Sequence, residues 1–258
     1  MQPAERAERD AWRALADVPG ISVLELGSAV CVSMPALRDS PMVNHTVGLG
    51  EDEAVDGELL DAVAEFYGDA TYYVALTPAA RPEGVRSELA DRGFTRDYDW
   101  MKFTRAATDI PKSQTNLDVR RVEDGADFAA VVVAGYGLPT DVATTLAAVP
   151  PADGCHAYVA YAGSEPAAAG AIFVSGDVAW LGFAATRPEH RRKGGQGAIL
   201  SARLACARDL GVATVVTETG VMRDERPSNS YRNILRSGFA EAYVRENYLA
   251  PAAAIAAS

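Results

Sequence analysis

Basic residues, cysteine and histidine are all scarce in this chain. Twenty-four Lys and Arg stand against 35 Asp and Glu in 258 residues, a formal net charge of −11. That balance disfavours nonspecific attachment to nucleic acid or an anionic membrane and mildly favours cationic partners. Cys31, Cys155 and Cys206 are an odd number, far apart and without metal-type spacing, so free thiols in a reducing compartment are expected. His45, His156 and His190 are equally scattered and suggest no metal site, His190 reading as a solvated turn residue. No stretch approaches the roughly 18 apolar residues that a membrane span requires, and the opening "MQPAERAERDAWRALADVPG" has no signal-peptide core. A soluble, cytoplasmic protein is expected. No Ser-His-Asp arrangement presents itself.

What the chain does have is apolar residues, 48% of the total, enough to bury a substantial core in one large domain or two small ones. In the first half, Ala4 to Val18 reads as an amphipathic helix, "ISVLEL" and "AVCVSM" as strands, and Gly57 to Tyr67 as a second helix. "TYYVAL" then reads as a strand, "RPEGVRSELADRGF" as a helix opened by Pro82 and closed by glycine, and "DYDWMKFTR" as another strand. The polar, aperiodic "AATDIPKSQTN", residues 106–116, reads as a linker between domains at 1–105 and 117–258.

The second half opens with the strand "LDVRRV" and helices over about Asp124 to Gly135 and Thr140 to Ala148. Three strands follow as an antiparallel meander, "HAYVAYA", "AAAGAIFVSG" and "VAWLGFAAT". Beyond them come a glycine-rich turn, a helix to about Leu210, the strand "ATVVTETG", the helix "SYRNILRSGF" and the strand "AEAYVRENYL". The fold class is α/β of the α+β kind, a mixed, mostly antiparallel sheet flanked by helices. The halves also echo each other: "ELADRGFTRDY" and "NILRSGFAEAY" align without a gap, Gly93 with Gly238, Phe94 with Phe239 and Tyr98 with Tyr243, which points to a duplicated unit.

The turn "RPEHRRKGGQGAIL" joins a strand to a helix through Arg191, Arg192, Lys193, Gly194, Gly195, Gln196 and Gly197. Unpaired N–H groups at a helix start, the positive end of its dipole and glycines without side chains form a cradle for a phosphate or pyrophosphate. The spacing is neither that of a P-loop nor that of a dinucleotide fingerprint.

With the strand before it, "FAATRPEHRRKGGQGAIL" resembles the acyl-CoA signature of the GNAT superfamily of N-acetyltransferases, Arg/Gln-x-x-Gly-x-Gly/Ala before a helix. Arg192, Gly195 and Gly197 satisfy that spacing, while a register from Arg191 uses Gly194 and puts Gln196 where Gly or Ala is usual. "VATVVTETG" and "NSYRNILRSGF" are similar to the next strand and helix of that family, so the resemblance covers about Leu117 to Leu249. It implies the acyl-CoA N-acyltransferase fold, here as two tandem copies with a degenerate N-terminal half. It also implies acetyl-CoA as acyl donor, with an acyl group other than acetyl as the alternative for which the small Ala184 and Ala185 leave room, and an amine-bearing small molecule or peptide as acceptor; a homodimer is compatible with it. Backbone groups at Ala184, Ala185 and Thr186 would hold the pantetheine arm, the turn from Arg191 to Gly197 the pyrophosphate, and Asn229 the pantetheine or the following helix.

Attack by an amine requires a base, and departure of a thiolate requires an acid. Glu218, near the end of a strand beside the acyl site, is the candidate base, with a surface carboxylate as the bland alternative. Where many members of the family carry a Tyr acid, this chain has Ile234, leaving Tyr231, Tyr243 or water to substitute. In the first half, "VGLGEDEAVDGELL" is the nearest echo of the glycine turn, and its Glu51, Asp52 and Glu53 would repel a pyrophosphate. "DERPSN", Asp224 to Asn229, is a charged segment that either rims the acceptor cleft or is simply solvated.

Overall fold

The computed structural model describes residues 3–52, 54–80, 84–224 and 228–252, so Glu53, Pro82 and residues 225–227 of the charged segment lie outside the described residues. The first half contains α1 (Pro3–Ala14), β1 (Ser22–Leu26), β2 (Ala29–Ser33), β3 (His45–Val47), α2 (Gly57–Tyr67), β4 (Tyr73–Leu76), α3 (Val85–Asp91), β5 (Thr95–Arg96) and β6 (Trp100–Ala106). Of these, β3 and β5 are too short to show an alternation and were not expected from the sequence. The second half contains β7 (Asp118–Val122), α4 (Ala126–Tyr136), α5 (Ala143–Ala147), β8 (Cys155–Ala162), β9 (Glu165–Ser175), β10 (Val178–Thr186), α6 (Gly195–Asp209), β11 (Thr214–Gly220), α7 (Asn229–Arg236) and β12 (Ala240–Leu249).

Local chemistry sets the helix ends. Asp56 accepts a hydrogen bond from Leu59 N at 2.9 Å to start α2, and Ser228 accepts from Tyr231 N at 3.1 Å to start α7. Gly93 and Gly238, the two aligned glycines, take φ values of 82° and 81°, the left-handed geometry that ends a helix. Phe94 N then reaches back to Leu89 O and Phe239 N to Ile234 O, so the two helix ends are built alike.

The strands form one sheet in the order β1-β2-β3-β4-β12-β6-β11-β10-β9-β8-β7, with β5 on β12. Two pairs are parallel, β3 with β4 and β10 with β11; the others are antiparallel. The order β3-α2-β4-α3-β6 repeats as β10-α6-β11-α7-β12, each copy around one parallel pair. The last strands are exchanged: β6 pairs with β11, β12 pairs with β4, and β6 and β12 pair with each other. A strand from one side of residues 106–116 is thus built into the sheet of the other.

Both faces of the sheet are covered. On one, α1 and α4 pack Trp12, Leu15, Phe128 and Val132 against Val30, Val159, Trp180 and Val216, so α1 bridges strands of both halves. On the other, Leu200 and Leu204 of α6 and Ile234 of α7 meet Phe103, Leu181 and Val215. Each such side chain contributes about 1.5–3 kcal/mol by leaving water. Gly170 of β9 reflects close approach of α6: a Cβ there would lie 2.8 Å from Ile199 Cγ2.

Candidate active site

β10 and β11 begin as neighbours and then part. Their parallel register runs only from Val178 opposite Thr214 to Trp180 opposite Val216. On its other edge β10 carries a bulge against β9, between Gly182 and Ala185, and Phe183 inside it has φ 55°, uncommon for a bulky residue. Such conformations cost of order 1–3 kcal/mol and gather at functional sites.

Three carbonyls of the diverging strand accept from side chains. Leu181 O accepts from Thr217 Oγ1 at 3.1 Å, Gly182 O from Arg203 Nη1 at 3.3 Å and Ala184 O from Tyr136 Oη at 2.9 Å. Arg203 also donates to Ala171 O at 3.1 Å, the residue opposite Gly182 in the ladder, and thereby spans the bulge. Burial lowers the pKa of its guanidinium to about 10.

At the end of β10 the chain turns into α6. Arg192 has φ 63° and Gly194 φ 82°, and no side chain caps the helix. Its first N–H groups therefore lack a side-chain cap, and Arg191, Arg192 and Lys193 beside them are all exposed. A Cβ at Gly195 would lie 2.9 Å from Ala168 Cβ and one at Gly194 3.0 Å from Thr115 Cβ, whereas Gly197 has ordinary room, 3.7 Å from Ser113 Oγ. The positions that demand glycine are thus Gly194 and Gly195. Gln196 turns aside, donating to Ser230 Oγ at 3.2 Å and accepting from Asn233 Nδ2, which ties α6 to α7.

The sequence did not reveal that residues 111–115 lie along this turn. Thr115 Oγ1 donates to Lys193 O at 2.9 Å and Ser201 Oγ to Pro111 O at 2.7 Å. Only the polarity of that segment could have hinted at it. Asn229 lies exposed at the start of α7, and it is Asn233, one turn on, that reaches α6. His190, expected to be solvated, is 5% exposed beneath the turn, with Glu165 Oε2 3.5 Å from its Nε2.

On the α1 face, where the strands part, stands Glu218, its side chain 11% exposed. It accepts from Trp180 Nε1 at 3.0 Å and from Lys102 Nζ at 2.9 Å. Lys102, fully buried on β6, also donates to Glu8 of α1 at 2.6 Å. Glu8 is clasped by Arg245, and His45 Nε2 lies 3.6 Å away. Arg245 reaches Glu5 at 3.4 Å, and Tyr243 Oη donates to Glu5. Glu5, Glu8 and Glu218 therefore share two fixed cations, Lys102 and Arg245. Burial opposes ionisation of Glu8, yet Arg245 and Lys102 hold it well below the usual carboxylate range. At Glu218 burial prevails: its pKa is raised, Lys102 opposing and Glu8 adding to the rise. Of Glu8 and Glu218, the carboxylate with the raised pKa is thus the one that keeps some exposure.

The other two expected residues are occupied. Tyr231 packs edge-on against Phe103, ring centroids 4.9 Å apart, with its hydroxyl donating to Glu241. Tyr243 is held by Glu5. Burial raises the pKa of both phenols, and the carboxylate each donates to adds to it. Among the described residues no group of His, Cys, Asp and Glu could hold a metal ion, and no helix is long and apolar enough to cross a membrane.

The overall fold recurs in known structures. A GCN5-related N-acetyltransferase from Kribbella flavida superposes with a TM-score of 0.65 over 97% of this chain and 96% of its own, at 17% identity. The chain has the GNAT fold. A GCN5-related N-acetyltransferase from Sphaerobacter thermophilus gives 0.59 at 13% identity over 96% and 91% of the two chains. A tandem GNAT protein from the clavulanic acid biosynthesis pathway gives 0.58 at 17% over 93% and 86%. By sequence alone, no family model and no curated protein matches. The expected mixed sheet and tandem GNAT-like architecture therefore hold at the level of fold.

Proposed function

We propose that this GNAT-fold chain is an acyltransferase that moves the acetyl group of acetyl-CoA to a primary amine by direct attack in a ternary complex. The observation that carries the reading is the parting of β10 from β11 beside the uncapped start of α6. The first-turn N–H groups of α6, with Arg191, Arg192 and Lys193, would hold the pyrophosphate, and the backbone of Ala184 to Thr186 the pantetheine. Glu218 would take the proton that the amine loses, a task suited to a carboxylate with a raised pKa. Residues 117–258 would form the catalytic unit and residues 1–105 a degenerate copy, joined through 106–116, working in the cytoplasm. Direct transfer fits the cysteines, since Cys206 packs within α6 and burial pushes the Cys155 thiol up to about 12, away from the nucleophilic thiolate.

A second reading, a catalytically silent acyl-CoA-binding protein, is favoured by Ile234 at the family's acid position and by the engaged hydroxyls of Tyr231 and Tyr243. Calorimetric titration with acetyl-CoA and a thiol-release assay over a panel of amines separate the two. Binding with turnover is expected. Binding without turnover on any amine would leave the sensor, and absence of binding would overturn both.

A further inference from the structure

We infer that Tyr136 is the acid that protonates the departing thiolate, an inference that rests on the acyl-transfer reading above. When the amine nitrogen bonds to the thioester carbon, its surplus proton passes to Glu218. The C–S bond then breaks with its electron pair left on sulfur, and that sulfur needs a proton. Ile234 has none to give. Tyr231 and Tyr243 each donate to a carboxylate, Glu241 and Glu5, in buried surroundings, and a phenol so engaged exchanges a strong acceptor for a weaker one if it turns away.

Tyr136 differs on each count. It is the last residue of α4, and its hydroxyl rests on a neutral acceptor, Ala184 O, within the bulged stretch that would carry the pantetheine. Its position is fixed by the residue before it: a Cβ at Gly135 would lie 2.8 Å from Ala185 Cβ and 3.1 Å from Thr186 N, so only glycine lets α4 come this close to β10. Arg191 Nη2 donates to Gly135 O at 3.2 Å and fastens the same helix end to the glycine turn. The ring is 54% exposed while the hydroxyl points in to the strand, so the phenol is presented from the solvent side and can change partner without disturbing the core.

In the step proposed, the Oη–H bond of Tyr136 breaks toward sulfur, giving the free thiol and a phenolate. The phenolate regains a proton from solvent as Glu218 releases the one it took, so no proton or electron is gained or lost overall.

The test is Tyr136→Phe, which keeps the ring and removes the hydroxyl. Thiol release from acetyl-CoA, with the best amine of a panel or with water as acceptor, should fall by roughly 10–10²-fold, the scale of a lost general acid. The acetyl-CoA dissociation constant from calorimetry should stay within about twofold, because only a step after binding is affected. Undiminished thiol release in the variant would overturn the assignment, and so would parallel loss of affinity and turnover, which would make Tyr136 a docking residue. A wild-type chain that binds no acetyl-CoA would remove the acyl-transfer reading itself. Binding and turnover shared equally by wild type and variant would remove only the role of Tyr136.

Discussion

Lys102 donates to Glu218 at 2.9 Å across 116 positions of sequence, joining a strand of the first half to the proposed base of the second. The pair is buried, and Lys102 carries a second carboxylate, Glu8, on its other side. Such an arrangement adds little net stability compared with apolar packing, yet breaking it is costly because a buried charge loses its partner. Its consequence lies in the charge state of Glu218.

Lys102→Met and Glu8→Gln should therefore move the pH profile in opposite directions. A base works only when ionised, so activity rises with pH through the pKa of Glu218, already above the ordinary carboxylate range. Lys102 lowers that pKa; removing it should push the acid limb of the kcat profile up by about one pH unit or more. Glu8 raises it, so Glu8→Gln should bring the limb down. Both variants should be destabilised by about 3–5 kcal/mol for the loss of a buried partner. Circular dichroism checks that they fold. Limbs that do not move, or that move together, would remove Glu218 from the base role.

Glu218→Gln keeps the shape of the side chain and its bond from Trp180 Nε1 while removing the base. Turnover should fall roughly 10²-fold or more with acetyl-CoA affinity little changed. Near-normal rates across pH would show that the carboxylate serves only to neutralise Lys102.

The glycine turn predicts a graded series. Gly194→Ala forces φ 82° on an alanine and sets a Cβ 3.0 Å from Thr115, and Gly195→Ala meets Ala168 Cβ at 2.9 Å. Each should raise the acetyl-CoA dissociation constant by about tenfold, roughly 1.4 kcal/mol. Gly197→Ala, inside α6 with its nearest contact at 3.7 Å, should bind normally and gain about 0.5–1 kcal/mol of stability. Titration calorimetry with the three variants gives the order. Equal affinities for all three would mean that the turn does not hold the pyrophosphate.

Elements with a strong period were legible in the sequence. β10 and β12 fall at the residues read from alternation alone, Val178–Thr186 and Ala240–Leu249, and α2 at Gly57–Tyr67. The glycine turn was legible because its chemistry is local. The exchange of β6 and β12 was not, since pairing partners leave no mark on a strand's own alternation. With it went the setting of Glu218: nothing near "TVVTETG" announces Lys102, and nothing near Lys102 announces Glu8 at position 8 of an amphipathic helix. Tyr136 ends a helix whose apolar run accounts for its other residues, and only the fold brings that end to Ala184.

The first half should bind no acetyl-CoA of its own. Its counterpart of the glycine turn is Gly48 to Glu51, after β3, and the chain's own residues already fill it. A Cβ at Gly48 would lie 2.6 Å from Arg9 Nη1, so the guanidinium lies directly on the backbone there. Arg9 pairs with Glu51 at 3.3 Å, with side-chain exposures of 0% and 4%, which places a carboxylate where a phosphate would need to be. At the next helix start, Asp56 already accepts from Leu59 N in the first turn of α2. An anion entering would have to displace two carboxylates and separate a buried pair, against a dipole worth about 0.3–1 kcal/mol. Meanwhile α1, which carries Arg9, also delivers Glu8 to Lys102, so the segment that fills the first site helps to build the second. Titration calorimetry should give one acetyl-CoA per chain. Two per chain, or a single site that survives Gly194→Ala and Gly195→Ala but is lost when Arg9 is changed, would place the cofactor in the first half instead.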